Sequence, residues 1–112
     1  MDFEELISEG IWILNKKKSS DGIYMGRGSV LGNPFLIGKD GDREEVIELY
    51  RSWLWDRIKE PGRDKKIWGE LKRLLEIWKI DGELTLSCFC FPKRCHCEVI
   101  GSCLVWMRRE GL

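Results

Sequence analysis

The sequence holds no alanine and no glutamine, only two asparagines and a single histidine. Few thermolabile amides beside many Lys, Glu, Arg and Ile is the usage of proteins from very hot habitats. That matters for the thiols, because intracellular proteins of hyperthermophiles are an exception to the rule that cytosolic cysteines stay reduced. Net charge is also lacking: 19 basic residues balance 19 acidic ones. A broad electrostatic footprint for DNA or RNA is therefore excluded, while a local basic patch stays open. No apolar run approaches the roughly 20 residues that span a bilayer. The acidic start Met1-Asp2-Phe3-Glu4-Glu5 does not read as a signal peptide, so the expected address is the cytoplasm. Internal repeats, low-complexity segments and linkers are absent too.

What is present describes one globular domain over residues 1–112, since 43% hydrophobic and 34% charged residues can both build a core and cover it. A chain of this length buries roughly 65% of its unfolded surface. Phe3, Leu6 and Ile7 at helical spacing make Asp2–Glu9 a short amphipathic helix or turn, closed by Gly10. Ile11–Leu14 is a β-type apolar run, Asn15–Asp21 a polar surface turn with solvated lysines, and Gly22–Met25 a second short strand. Asp42 followed by Glu45 is a capping-box pattern. It starts a helix whose apolar face is Val46, Ile47, Tyr50, Leu54 and Ile58, with Trp53 and Trp55 on its flanks. Pro61-Gly62 breaks it. A further helix runs from about Arg63 to Lys79, with Ile67, Trp68, Leu71, Leu74, Leu75 and Trp78 inward, and Asp81-Gly82 turns the chain. Leu84–Phe91 reads as a strand stopped by Pro92. The last helix spans about Cys95–Arg109, with Val99, Ile100, Cys103, Leu104 and Met107 as its core stripe. The order α-β-β-α-α-β-α suits an α/β class: a small Rossmann-like layered fold, a short, mostly parallel sheet packed by helices.

Four of the five cysteines, the histidine and a proline crowd into Thr85–Ile100. On an extended strand Cys88 and Cys90 share a face, and Cys95 and His96 follow at a helix start, whose dipole and free N–H groups favour anions and thiolates. Four readings follow. Buried cysteines act as small hydrophobes, the best reading for Cys103. Cys88, Cys90, Cys95 and His96 supply enough thiolate and imidazole for tetrahedral zinc, although the paired Cys-x2-Cys spacing is missing. Cys90 and Cys95 flank a turn and suit a disulfide. Lastly, Cys95 as a thiolate nucleophile or His96 as an acid or base are the candidate catalytic residues.

A second candidate region is Gly26-Arg27-Gly28-Ser29-Val30-Leu31-Gly32-Asn33-Pro34-Phe35, just after a predicted strand. In open α/β sheets ligands bind beyond the carboxyl ends of strands. Arg27 suits bidentate capture of a phosphate or carboxylate, and Arg43 at a helix start suits the same. The stretch lacks the spacing of the nucleotide-binding glycine motifs. The six tryptophans mostly follow core spacing.

Together, Tyr24-x-Gly26-Arg27, Gly32-Asn33-Pro34-Phe35, Arg43-Glu44-Glu45 with Tyr50 and Trp53-Leu54, and Cys88-x-Cys90-x-Pro92-x-x-Cys95-His96 resemble the family catalogued as domain of unknown function 4326, found in bacteria, phages and archaeal viruses. The resemblance runs from about Ile11 to Trp106. It implies a compact α/β fold and no specific activity. It also implies that Arg27, Asn33, Arg43, Cys88, Cys90, Cys95 and His96 are motif positions, and that an archaeal virus or its host is a fitting source. The family has Cys-His-Gly where this chain has Cys95-His96-Cys97, so a side chain stands where close ligand approach or an added thiol is decided.

The expectation is a pocket between the Arg27–Phe35 loop and the Cys95–His96 helix start, taking a nucleotide or other phosphate-bearing ligand through Arg27, Asn33, Arg43, Cys90 and His96. The alternative is a module stapled by zinc or a disulfide that works through protein or DNA contact.

Overall fold

The computed structural model describes residues 1–18 and 20–112, so the polar turn expected over Asn15–Asp21 is described except at Ser19. The elements follow the expected order: α1 (Phe3–Ser8), β1 (Ile11–Asn15), β2 (Ile23–Tyr24), α2 (Arg43–Ile58), α3 (Lys65–Asp81), β3 (Leu84–Cys88) and α4 (Cys97–Arg109). The three strands form one parallel sheet in the order β1-β3-β2. Ile11 to Asn15 pair with Leu84 to Cys88, and Ile23 and Tyr24 with Leu86 and Ser87. This is a small α/β fold.

The period of two decides the sheet's sides. Ile11, Ile13, Leu84, Leu86 and Cys88 are buried in the core with α2, α3 and α4. Trp12, by contrast, is 42% exposed, and Leu14 and Thr85 are half-buried. Parallel β1 and β2 require the chain to travel back along the sheet between them. Among the described residues no helix lies between them, and the chain closes onto β3, where a Cβ at Gly22 would stand 3.1 Å from Thr85 Cγ2.

The α2 start is dictated locally. The Asp42 carboxylate accepts from Glu45 N–H at 2.9 Å, and the Glu45 carboxylate accepts from Asp42 N–H at 3.1 Å. Asp2 and Glu5 repeat the arrangement on α1. Val46, Ile47, Tyr50, Leu54 and Ile58 are all buried, as their spacing requires. α3 buries Ile67, Leu71, Leu74, Leu75 and Trp78, and Trp68 is only half-buried under the Arg63 guanidinium.

Two boundaries and one core stripe near the candidate site differ from expectation. β3 stops at Cys88, not at Phe91, because Lys93 N–H turns back to the Cys90 carbonyl at 2.8 Å and Pro92 has no N–H to extend a ladder. Hence Cys90 leaves the strand and does not share its face with Cys88 as sheet neighbours would. α4 begins at Cys97, with His96 as its N-cap residue. Its core stripe includes Val105, while Cys103 is half-buried beside it. Among the described residues no helix is long and apolar enough to cross a membrane.

Candidate functional site

A cleft of about 350 Å³ opens beyond the carboxyl ends of β2 and β3. Tyr24 closes β2 on one side and Cys88 closes β3 on the other. From Tyr24 the chain makes two successive tight turns, with Ser29 N–H on the Gly26 carbonyl and Gly32 N–H on the Ser29 carbonyl, each at 3.1 Å. Any Cβ at Gly32 would lie 2.5 Å from the Gly26 oxygen, so this fold-back admits glycine alone. The loop thereby presents Arg27 and then Asn33 and Phe35 to the cleft. The first turns of α2 add Arg43, Val46 and Ile47, and the return from β3 adds Phe89, Cys90, Arg94, Cys95 and His96. The two sequence-predicted regions therefore face one another across one space.

Within that space the side chains differ in how free they are. Arg27 is exposed and no ion pair or hydrogen bond holds its guanidinium among the described residues. Arg43 donates from Nη1 to the Arg94 carbonyl at 2.9 Å. Asn33 turns inward: its Oδ1 accepts from Phe35 N–H at 2.9 Å and its Nδ2 donates to the Val46 carbonyl at 3.4 Å. It shapes the loop and pins it to α2. Arg94, which the sequence reading passed over, donates from Nε to the Glu98 carboxylate at 2.9 Å and also pairs with Glu44. Both carboxylates raise its pKa, Glu98 most. An Arg four residues before a Glu, on the approach to a helix, is the signal that could have found it. Tyr24 and Phe89 meet edge-to-face with centroids 5.8 Å apart, giving the cleft an aromatic rim.

Three thiols gather at the cleft, two of them, Cys88 and Cys95, in its lining. Cys88, Cys95 and Cys97 are buried, and their Sγ atoms all lie within 4.8 Å of one another. Cys88 and Cys95 are in contact, Sγ to Sγ, at 3.3 Å, and all five cysteines are free. The thiol that meets Cys95 is thus that of Cys88. Cys90 sits half-buried in the cleft lining, outside the group. The S–H groups of Cys90, Cys95 and Cys97 hold the Cys88 thiol far below its ordinary pKa. Contact with the favoured Cys88 thiolate then pushes Cys95 and Cys97 up.

His96 stands apart from this group. Its Nε2 lies 2.5 Å from the Met25 carbonyl and its ring meets Tyr50 edge-on at 5.1 Å. Burial lowers its pKa, which keeps the imidazole neutral, and Nε2–H donates to that carbonyl. Cys97, not His96, is the neighbour that completes the thiol group. Nor is the end of α4 the open anion site its position suggests. The Cys95 and His96 carbonyls accept the N–H groups of Glu98, Val99 and Ile100 at 3.0–3.1 Å, and buried Glu98 already sits in the first turn. Positive potential in the cleft comes from guanidinium groups.

The family described as Domain of unknown function (DUF4326) matches residues 13–106, most of the chain. The chain belongs to this family. No match was found among curated proteins or among solved structures. In this DUF4326 member the matched span carries the whole cleft, from Tyr24 to His96, and all of the clustered thiols.

Proposed function

We propose that the protein binds a small phosphate-bearing ligand, a nucleotide being the fitting class, in the cleft beyond β2 and β3. One observation carries this reading. The lining includes three arginines, Arg27, Arg43 and Arg94, and no acidic residue, in a chain whose overall charge is zero. Arg94 is compensated by Glu44 and Glu98, and Arg43 is tethered to a carbonyl, so Arg27 is the guanidinium with its fork available. A free guanidinium takes two phosphate oxygens in parallel, and enclosure beside apolar walls strengthens that pair. Tyr24, Phe35 and Phe89 supply aromatic faces and edges against which a base stacks. His96 and Cys90 complete the wall, and Asn33 acts by holding the loop.

Calorimetric titration with inorganic phosphate and with nucleoside mono-, di- and triphosphates tests the reading. Saturable binding at one site per chain is expected, and Arg27→Ala should weaken it by about 10- to 100-fold, the worth of charge-assisted hydrogen bonds of roughly 1.5–3 kcal/mol. Absence of binding by every phosphate, or affinity untouched in Arg27→Ala, overturns it. The alternative of a stapled interaction module draws support from the thiol cluster; zero net charge gives a DNA contact none.

A further inference from the structure

The cysteines follow a pattern that spacing alone leaves unremarked: Cys88-x-Cys90 and Cys95-x-Cys97, two Cys-x-Cys pairs divided by four residues. The fold turns the chain between the pairs. Cys88 is the last residue of β3, the Cys90–Lys93 turn reverses direction, and Cys97 is the first residue of α4. One member of the first pair and both members of the second then point into one buried spot.

We propose that Cys88, Cys95 and Cys97 bind a thiophilic divalent cation, zinc in the first instance, with the fourth position on the cleft side where Cys90 stands. The dimensions fit. Zinc–thiolate bonds of about 2.3 Å place tetrahedral sulfurs roughly 3.8 Å apart. Here the Cys88–Cys95 separation is 3.3 Å and the third sulfur keeps all three within 4.8 Å, so the set brackets the required edge. A disulfide would join two of these sulfurs and strand a third beside it. Packing alone asks for apolar volume, which does not require sulfur atoms in mutual contact. The donor set is all sulfur, which selects soft and borderline ions over magnesium or calcium.

Charge accounting agrees. Three or four thiolates around a divalent ion leave a net negative centre, and binding releases the thiol protons to the buffer. The cationic guanidinium groups of Arg27, Arg43 and Arg94 stand around the same cleft. His96 is not a ligand in this arrangement: neither of its ring nitrogens belongs to the group of donor atoms that lie within 4.8 Å of one another.

The test is titration of the reduced protein with cobalt(II), followed by displacement with zinc. One cobalt per chain, with thiolate-to-metal charge-transfer absorption and the strong visible bands of tetrahedral geometry, is expected. Cys97→Ala should weaken binding by at least tenfold, and Cys95→Ser should do so independently if burial makes the first variant fold poorly; circular dichroism confirms which variants fold. Cys103→Ser, outside the cluster, should bind cobalt like the parent. No charge-transfer band, a loss of two thiols to a disulfide in freshly purified protein, or full binding by folded Cys97→Ala or Cys95→Ser overturns the proposal.

Discussion

Two depressions on this molecule look alike in outline and differ in content. The cleft beyond β2 and β3 measures about 350 Å³, and the groove between α2 and α4 about 250 Å³. Each has apolar walls, at least one arginine and at least one cysteine. In the groove, Leu54, Ile58 and Val99 form the floor, Trp55 and Trp106 meet edge-to-face at 5.9 Å, and Arg51 is paired with exposed Glu48. Its cysteine, Cys103, has no sulfur neighbour in the clustered set. In the cleft the arginines outnumber their carboxylates and the thiols touch one another. Sheet topology explains the contrast. The carboxyl ends of parallel strands release several loops into one place, whereas two packed helices offer only repeating side chains.

The comparison is broken most directly through the arginines. Arg27→Ala should cost the roughly 10- to 100-fold in phosphate affinity argued above, and Arg51→Ala in the groove should cost none. Equal losses in isothermal titration would mean that general surface charge, not the cleft, attracts the anion. Stability should divide in the same way. Arg94→Ala leaves Glu98, 2% exposed, without its cation, whereas Arg51→Ala leaves Glu48 in water. A cost of about 2 kcal/mol is expected for the first, moderated because Arg94 itself is half-exposed, and under about 0.5 kcal/mol for the second. Denaturant midpoints at unchanged slope measure both.

Thiol chemistry sharpens the contrast further. Burial pushes the Cys103 thiol up to about 12. At pH 8 such a group holds roughly a thousandfold less thiolate than an ordinary cysteine, while its greater basicity returns one to two decades of nucleophilicity. Alkylation at Cys103 should therefore run about 10- to 100-fold slower in the native protein than in denaturant. Peptide mapping after timed iodoacetamide exposure reads that ratio. A ratio near one would show the groove to be wet and Cys103 to be an ordinary surface thiol.

How much of this was legible before any coordinates follows from the range of the forces involved. α2 was readable because its start and its buried stripe are set within a few residues, by Asp42, Glu45 and a spacing of three to four. The meeting of the Arg27 loop with the Cys95 turn was readable because a parallel sheet must put the two exits together. The thiol set was not. Whether Cys97 or His96 joins Cys88 depends on where α4 begins, and one residue of helix rotates a side chain by about 100°. That start is fixed by the local Cys90–Lys93 turn together with the Met25 carbonyl that claims His96, and the second is a contact across 71 residues of chain. The two hydrogen bonds of Asn33 are hidden from the sequence for the same reason: its amide partners, Phe35 and Val46, include one thirteen residues away on α2.

Tyr50 provides the smallest perturbation, one oxygen atom, at the point where the cleft's supports converge. It lies on α2 one turn before Leu54 of the groove, is fully buried, and donates from Oη to the Leu31 carbonyl at 2.7 Å. Its ring also backs His96, so the phenol joins the glycine loop to the wall that carries the thiols. Desolvation raises its pKa well above the ordinary value, so the group stays a neutral donor throughout the pH range in which the protein is handled. Tyr50→Phe keeps the ring and orphans one buried carbonyl. A loss of about 1 kcal/mol is expected, roughly 4 °C in Tm for a chain of this size. Because the loop loses an anchor but no ligand group, phosphate affinity should change by less than about threefold, far below the Arg27→Ala effect. A loss as large as that of Arg27→Ala would show that the cleft depends on the rigidity of the Gly26–Gly32 turn more than on the guanidinium it presents.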